Sequence, residues 1–280
     1  MSIHSIITAA IAYGALAISA KGVVIYGLGS NSRLYSFDSA SPGAVTDIGA
    51  LSGVVDIDFH AVNGSLYGVA ADGLTYTINI STGAKTLVTT PLTALSGLTS
   101  MDFNPVVDRI RLVGTGNANY RITPNAQTPA AQQPNGTVSV DGNFTAPGFS
   151  VLGVAYTNAF DGTASTALYS LGSNGNLNLH SVAPGFNTLA TVGSGLGFTP
   201  VGSGFDIAAD ANGAFLGSAY AYDGTNLQLV NLTTGAGASQ GAIALPGGVS
   251  LLGLAVIPEP STFLLAAVGG LGLLRRRRTV

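Results

Sequence analysis

Short segments in which apolar and polar residues alternate recur along most of this chain, and such alternation is typical of β-strands. Many of these segments are separated by residue pairs that tolerate the positive φ angles of tight turns. These pairs are Asn63-Gly64, Asp72-Gly73, Thr82-Gly83, Asn174-Gly175, Asn212-Gly213 and Thr234-Gly235. The pattern therefore predicts a series of antiparallel hairpins.

One strand motif, in which two apolar residues flank an aspartate or an alanine, occurs five times. The middle residues of the five copies are Asp58, Asp102, Ala155, Asp206 and Ala255, at intervals of 44, 53, 51 and 49 residues. A four-stranded propeller blade takes roughly 40–50 residues, so the repeat predicts an all-β, five-bladed β-propeller. A two-sheet sandwich is the rival fold, but it predicts no repeat at this period.

The fifth copy of the motif, at residues 253–257, runs into Pro258 and has no strands after it. Three strand patterns without a motif of their own stand at the other end of the domain, at residues 24–28, 33–37 and 44–48. Because closing the ring removes a free sheet edge, we predict that the N- and C-terminal strands share one blade. The propeller domain then spans residues 21–257.

Residues 123–147 break the regular pattern because they are polar and rich in proline. Residues 137–140 still fit an outer strand of the third blade. We interpret the remainder as a tolerated insertion, and a loop that carries functional residues is the alternative.

Both ends of the chain carry export signals. Residues 6–18 are apolar, and the small residues that follow are typical of a secretory signal peptide at residues 1–20, with an N-terminal signal helix. At the C-terminus, Pro258, Glu259 and Pro260 precede an apolar run at residues 261–274. As a helix, this run would reach about 21 Å across a hydrocarbon core of about 30 Å, so it predicts a short, temporary anchor.

Four arginines, Arg275, Arg276, Arg277 and Arg278, follow the apolar run. The order Pro-Glu-Pro, apolar stretch and arginine cluster resembles the PEP-CTERM sorting tail of Gram-negative bacteria, here at residues 258–280. The resemblance implies transient anchoring in the inner membrane and processing near the Pro-Glu-Pro motif by an exosortase. It also implies delivery to the cell surface or extracellular matrix. An ordinary short C-terminal anchor is the alternative.

The composition of residues 21–257 excludes several kinds of site and partner. This region has no cysteine and no glutamate. It contains six basic residues and twelve aspartates, so its net charge is negative. Disulfides and thiolate metal sites are therefore excluded from it, and nucleic acid and anionic membrane surfaces are poor partners.

The domain also resembles a bacterial family known only as domain of unknown function 4394. The resemblance is carried by residues 101–111, which read Met-Asp-Phe-Asn-Pro-Val-Val-Asp-Arg-Ile-Arg, and by Leu66-Tyr67-Gly68. It covers residues 22–257 and implies a propeller-like repeat fold. No catalytic residues are assigned to that family.

The repeated aspartates, Asp58, Asp102 and Asp206, are the main candidate site. If their strands line the axis, three carboxylates converge there, and their repulsion requires a bound cation such as Ca²⁺, raised pKa values or hydrogen bonds from backbone N–H groups. We favour the interpretation that each aspartate ties its strand to the adjacent blade and does not meet the others.

The remaining candidate residues give weaker indications of function. His60 and His180 lie on different repeats and adjoin no nucleophile motif, so we expect both at the surface or at strand ends. Tyr156, Tyr220 and Tyr222, if exposed, are candidates for stacking on sugar rings.

The sequence thus predicts an exported, non-enzymatic propeller protein of the cell surface or extracellular matrix, with no assigned cofactor and with polysaccharide as a candidate ligand. The alternative is a carbohydrate-active hydrolase that uses the three axial aspartates as its acid and base. The domain offers no glutamate for that chemistry.

Overall fold

A computed structural model of the chain describes residues 22–125, 133–209 and 215–257. These residues form twenty strands and one 3-10 turn at Thr115–Asn117. The strands are β1 (Val24–Gly29), β2 (Arg33–Asp38), β3 (Ser41–Ala50), β4 (Asp56–Phe59), β5 (Leu66–Val69), β6 (Thr75–Ile78), β7 (Lys85–Thr89), β8 (Leu98–Asn104), β9 (Arg109–Gly114), β10 (Ala118–Ile122), β11 (Val138–Val140), β12 (Val151–Tyr156), β13 (Leu168–Gly172), β14 (Leu177–His180), β15 (Leu189–Val192), β16 (Phe205–Ala209), β17 (Phe215–Tyr222), β18 (Asn226–Val230), β19 (Gly237–Ala242) and β20 (Leu251–Val256).

The strands form five antiparallel sheets of four, which are the blades of a propeller. Blade 1 has the order β20-β1-β2-β3, and blades 2 to 5 follow as β4–β7, β8–β11, β12–β15 and β16–β19. The first strand of each order is the inner strand, and the five inner strands contact one another in a closed circle. The predicted five-bladed propeller is confirmed, and the rival sandwich is wrong.

Blade 1 is built from both ends of the domain. β20 pairs antiparallel with β1, in a register that places Val256 opposite Ile25 and Leu251 opposite Gly29. Ile25, Leu28 and Leu251 are fully buried at this junction. The predicted closure of the ring is therefore confirmed.

The core lies between the blades. Five apolar clusters fill the five interfaces, and each cluster draws side chains from two neighbouring blades. Leu34 of blade 1 and Ile57 of blade 2, for example, belong to the same cluster. Both faces of the inner and second strands are therefore buried, while the outer strands are largely exposed.

The irregular segment of blade 3 keeps its outer strand, since β11 pairs with β10 through Val138, Ser139 and Val140. Residues 126–132 of that segment, the Asn212-Gly213 turn, the signal peptide and the sorting tail lie outside the described residues. Within the described ranges, no helix has the length and apolar character needed to cross a bilayer.

A substitution at Gly253 tests the packing of the closing strand, β20, against β4. A Cβ atom there would lie 2.2 Å from Asp56 Oδ1 and 3.2 Å from Asp56 Cα, so it would force β20 away from β4. We expect Gly253→Ala to lower the free energy of unfolding by about 1–3 kcal/mol in thermal or urea denaturation. Gly247→Ala is the matched control, because a Cβ there meets no atom within 4 Å. Equal stability of the two variants would contradict this packing.

Candidate functional site

The three repeated aspartates meet on the propeller axis. Asp58, Asp102 and Asp206 occupy equivalent positions on β4, β8 and β16, and each is buried. One carboxylate oxygen from each lies within 4.8 Å of the others. The interpretation that we favoured from the sequence, in which the aspartates do not meet, is therefore wrong. We call this cluster the aspartate ring.

Two of these carboxylates each join two inner strands through backbone hydrogen bonds. The amide of Phe59, on the same strand, donates to Asp58 over 2.7 Å, and the amide of Phe103, on the next blade, donates to it over 2.8 Å. Asp206 repeats this arrangement, accepting from the amides of Ile207 and Val256 at 2.6 Å each. The expectation that each aspartate ties its strand to the adjacent blade holds for both residues.

Asp102 makes the same link between blades with a single bond. Its Oδ1 accepts from the amide of Tyr156 on blade 4 at 3.0 Å. The amide that follows Asp102 on its own strand, that of Phe103, donates to Asp58 instead. Five of the six carboxylate oxygens of the ring thus accept a hydrogen bond from a backbone amide. The five amides lie at one level of the axis, and each inner strand supplies one of them.

A fourth buried aspartate, Asp56, repeats this bonding one layer closer to the start of the inner strands. Its two oxygens accept from the amides of Ile57 at 2.9 Å and Met101 at 2.8 Å. Gly253 fills the equivalent place on β20 and leaves room for the Asp56 carboxylate. The sequence analysis missed Asp56, although its spacing of two residues from Asp58 places both side chains on one face of β4.

Burial dominates the electrostatics of this region. It raises the pKa of Asp56 to about 8 and that of Asp206 to about 6. Burial, followed by repulsion from the neighbouring carboxylates, raises the pKa of Asp58 and Asp102 well above the ordinary value. The amide bonds act in the opposite direction but do not offset burial. Protonated aspartates therefore contribute to the folded state near neutral pH.

The geometry of the ring suits a cation only in part. Ca²⁺ binds oxygens at about 2.3–2.6 Å, so two of its ligands can stand up to about 5.2 Å apart, and the separations of up to 4.8 Å fit. Calcium takes about six to eight oxygens, whereas the ring offers three converging carboxylates that already accept amide protons. Whether Asp58, Asp102 and Asp206 hold a metal stays a prediction.

A cavity of about 470 Å³ opens on the axis near the start of the inner strands. Its wall includes the residue three positions before the repeated aspartate or alanine in every blade. These five residues are Val55, Thr99, Leu152, Ser203 and Leu252. We call this cavity the axial funnel, and the layer of Asp56 separates it from the aspartate ring.

Of the two positions expected for the candidate histidines, the structure shows the strand end for both, and both are buried. His60 Nε2 lies 2.5 Å from Asp108 Oδ1. His180 bonds to Ser170 and to the carbonyl of Phe186, and burial lowers its pKa to about 4.

The candidate tyrosines are also buried, with exposed fractions of 1% for Tyr156, 7% for Tyr220 and 2% for Tyr222. They offer no surface on which a sugar ring can stack. Alternation along a strand did not reveal this, because both faces of these strands pack against neighbouring blades.

The distinctive segment at residues 101–111 forms the β8–β9 hairpin and connects three blades. Asn104 Oδ1 caps the turn by accepting from the amide of Val106 at 3.0 Å. Asp108 reaches His60 of blade 2, and Arg111 donates to the hydroxyl of Tyr156 on blade 4 at 3.0 Å. Arg111 is fully buried and also pairs with Asp141 at 2.8 Å. The described contacts of this segment hold blades together.

The raised pKa values of the ring predict a pH dependence. Unfolded aspartates lose their protons near pH 3.9. In the folded protein, Asp206 of the ring holds its proton to about pH 6, and Asp56 in the neighbouring layer holds its proton to about pH 8. The stability contributed by protonation is therefore complete below about pH 4 and is lost as the pH rises towards 8. His180, whose pKa is lowered, acts in the opposite sense between about pH 6.5 and 4.

Asp102→Asn isolates the contribution of the ring. We expect the melting temperature of the native protein to fall more steeply between pH 5 and 8 than that of this variant, when both are followed by circular dichroism. Parallel pH profiles would contradict the assignment of raised pKa values to the ring.

No curated protein matches the chain. Solved structures match it at low identity. A Bacteroides thetaiotaomicron structural genomics protein of unknown function is 13% identical, with 79% of this chain and 58% of that chain covered and a TM-score of 0.45. Myxococcus xanthus glutaminyl cyclase is 13% identical, with 78% and 75% covered and a TM-score of 0.40. An auxiliary nutrient binding protein from Bacteroides ovatus is 12% identical, with 74% and 54% covered and a TM-score of 0.45. The chain thus spans little more than half of the two Bacteroides proteins, and these distant likenesses carry no argument about function.

Two family models match with defined ranges. The PEP-CTERM protein-sorting motif matches residues 256–278, which include Pro258, Glu259, Pro260 and the four arginines. This motif indicates an exported protein that an exosortase sorts to the cell surface. The family described as domain of unknown function (DUF4394) matches residues 33–255, from β2 to the closing strand. The chain therefore belongs to the DUF4394 family.

Proposed function

We propose that this protein is a non-enzymatic component of the cell surface or extracellular matrix. In this proposal, its tail anchors it transiently in the inner membrane before an exosortase processes it. The observation that carries the non-enzymatic role is the bonding of the aspartate ring, whose buried carboxylates pair with one amide from every inner strand. The residues best suited to catalysis are thus engaged in closing the propeller.

The same geometry weighs against the alternative of a carbohydrate-active hydrolase. Glycosidase carboxylates stand about 5–5.5 Å apart in retaining enzymes and about 6.5–9.5 Å apart in inverting ones, because a sugar or a water must fit between them. Oxygens of the ring approach within 4.8 Å, and the three residues are only 5–7% exposed. Carboxylates that are this deeply buried and already bonded to backbone amides are poorly placed to reach a glycosidic bond.

The proposal requires no resident cofactor, because protons and amides offset the charge of the ring. Calcium titration tests this part directly. Added Ca²⁺ or a chelator is expected to leave the melting temperature unchanged, since a ligand that binds only the folded state would raise it. A rise with calcium that Asp102→Asn abolishes would instead support an ion held by Asp58, Asp102 and Asp206.

A matched pair of variants separates a structural ring from a catalytic one. Asp58→Asn has a single side-chain oxygen for two amides, so one buried N–H loses its acceptor, at a cost of about 1–3 kcal/mol. At roughly 2–4 °C per kcal/mol for a domain of this size, we expect its melting temperature to fall by about 2–12 °C.

Asp102→Asn keeps its one amide bond and removes one ionisable carboxyl group from the crowded ring, so its melting temperature at pH 7 should equal or exceed that of the native protein. Neither the native protein nor the variants should hydrolyse β- or α-linked glycans in a reducing-sugar assay. Turnover by the native protein that Asp102→Asn abolishes, with the fold intact, would establish the hydrolase.

Sorting is tested independently of the ring. In a host that carries an exosortase, peptide mapping of the exported protein should place its new C-terminus near Pro258-Glu259-Pro260. Replacing Glu259 with alanine should leave the tail attached. A mature protein that retains Arg275–Arg278 in this host would show that the tail is an ordinary anchor.

A further inference from the structure

The axial funnel and the point at which the sorting tail begins lie on opposite faces of the propeller. Leu252, the second residue of β20, lines the funnel, whereas Val256 ends the strand. Six strand residues span about 20 Å. The amide of Ile257 donates to the carbonyl of Val24 at 3.1 Å, so the first described strand also starts on the face from which the tail leaves.

The walls of the funnel combine aliphatic side chains with a few hydroxyl groups. Val55, Leu152 and Leu252 supply apolar surface. The polar side chains of the wall are those of Thr99, Thr115, Asn117, Ser150 and Ser203. The Ser203 hydroxyl already donates to the carbonyl of Leu252, and the Asn117 amide already bonds to the backbone of residues 149 and 151. Leu252 is 38% exposed, although its strand neighbours Leu251 and Gly253 are buried. An exposed leucine inside a concave wall is typical of a ligand pocket, and about 470 Å³ falls within the usual range for small ligands.

Charge restricts what the funnel can accept. None of its described lining residues is charged or aromatic. A charged ligand of either sign would find no opposite charge in this wall, and Asp56 below the funnel holds its proton up to about pH 8. A bare sugar would find no ring on which to stack and would leave hydroxyl groups against aliphatic walls. An uncharged ligand with an aliphatic body fits both restrictions.

We infer that the axial funnel is the binding site of the exported domain for a small, uncharged, aliphatic ligand, and that it faces away from the anchored end of the chain. The binding site deepens the proposed surface role by assigning a ligand class. The orientation rests on that role, because the tail alone fixes which face turns towards the cell.

Binding is tested on the purified protein with the neutral fluorophore N-phenyl-1-naphthylamine as the probe. Leu252→Ser removes apolar wall and should weaken probe binding by at least about tenfold. Thr99→Val adds apolar surface without changing side-chain volume and should tighten binding severalfold. Val182→Ser is the matched control, because Val182 is 86% exposed but lies beside Asn104, near the ends of the inner strands. It should leave binding unchanged.

Competition then defines the ligand class. 1-Hexanol should displace the probe at far lower concentration than hexanoate of the same chain length, and cellobiose should not displace it. Displacement by cellobiose equal to that by 1-hexanol would overturn the aliphatic assignment in favour of a sugar. Affinities unaffected by both Leu252→Ser and Thr99→Val would overturn the funnel as the site. These results are independent of sorting and of glycan hydrolysis.

The orientation is tested with single cysteines, since the chain has none of its own. In the membrane-anchored form before processing, Thr115→Cys at the rim of the funnel should react readily with a membrane-impermeant polyethylene glycol maleimide. Val182→Cys on the tail-side face should react several times more slowly, and the two rates should become equal once the domain is released. Equal rates in the anchored form would overturn the orientation and leave the binding result untouched.

Discussion

The arrangement of this propeller depends on one constraint, which is that buried backbone N–H groups must find acceptors. Where five inner strands meet at the axis, each presents an edge that has no further strand to pair with. The aspartate ring supplies these acceptors at one level of the axis, since its three side chains accept hydrogen bonds from the amides of five strands. The same bonds link blade to blade, and the β20–β1 pairing completes the circle.

That solution places carboxylates together in a poorly solvated space, and the raised pKa values follow from it. Burial is the largest cause at Asp58 and Asp102, ahead of mutual repulsion. A cluster of this kind resembles a catalytic or metal centre by composition, yet its bonds face the neighbouring strands. The axial funnel, separated from the ring by the layer of Asp56, is the feature of the axis left open to ligands.

Blade number and ring closure could be predicted from the sequence because both depend on regular spacing. The five motifs around residues 58, 102, 155, 206 and 255 and the unpaired strand patterns at each end were sufficient. Contacts between blades could not be predicted in this way. The amide partner of Asp58 lies 45 residues away, and the partner of Arg111 on Tyr156 is equally distant. In addition, both faces of these strands are buried. The alternation of apolar and polar residues therefore could not show which tyrosines and histidines are exposed.

Amide hydrogen exchange by NMR tests the central claim most directly. In the native protein, the amides of Phe59, Phe103, Tyr156, Ile207 and Val256 should all exchange as slowly as the most protected core strands. In Asp58→Asn, protection should fall selectively at Phe59 or Phe103, while Ile207 and Val256, which are bound by Asp206, stay protected. Rapid exchange of the five amides in the native protein, or no selective change in the variant, would show that the aspartates do not hold the propeller closed.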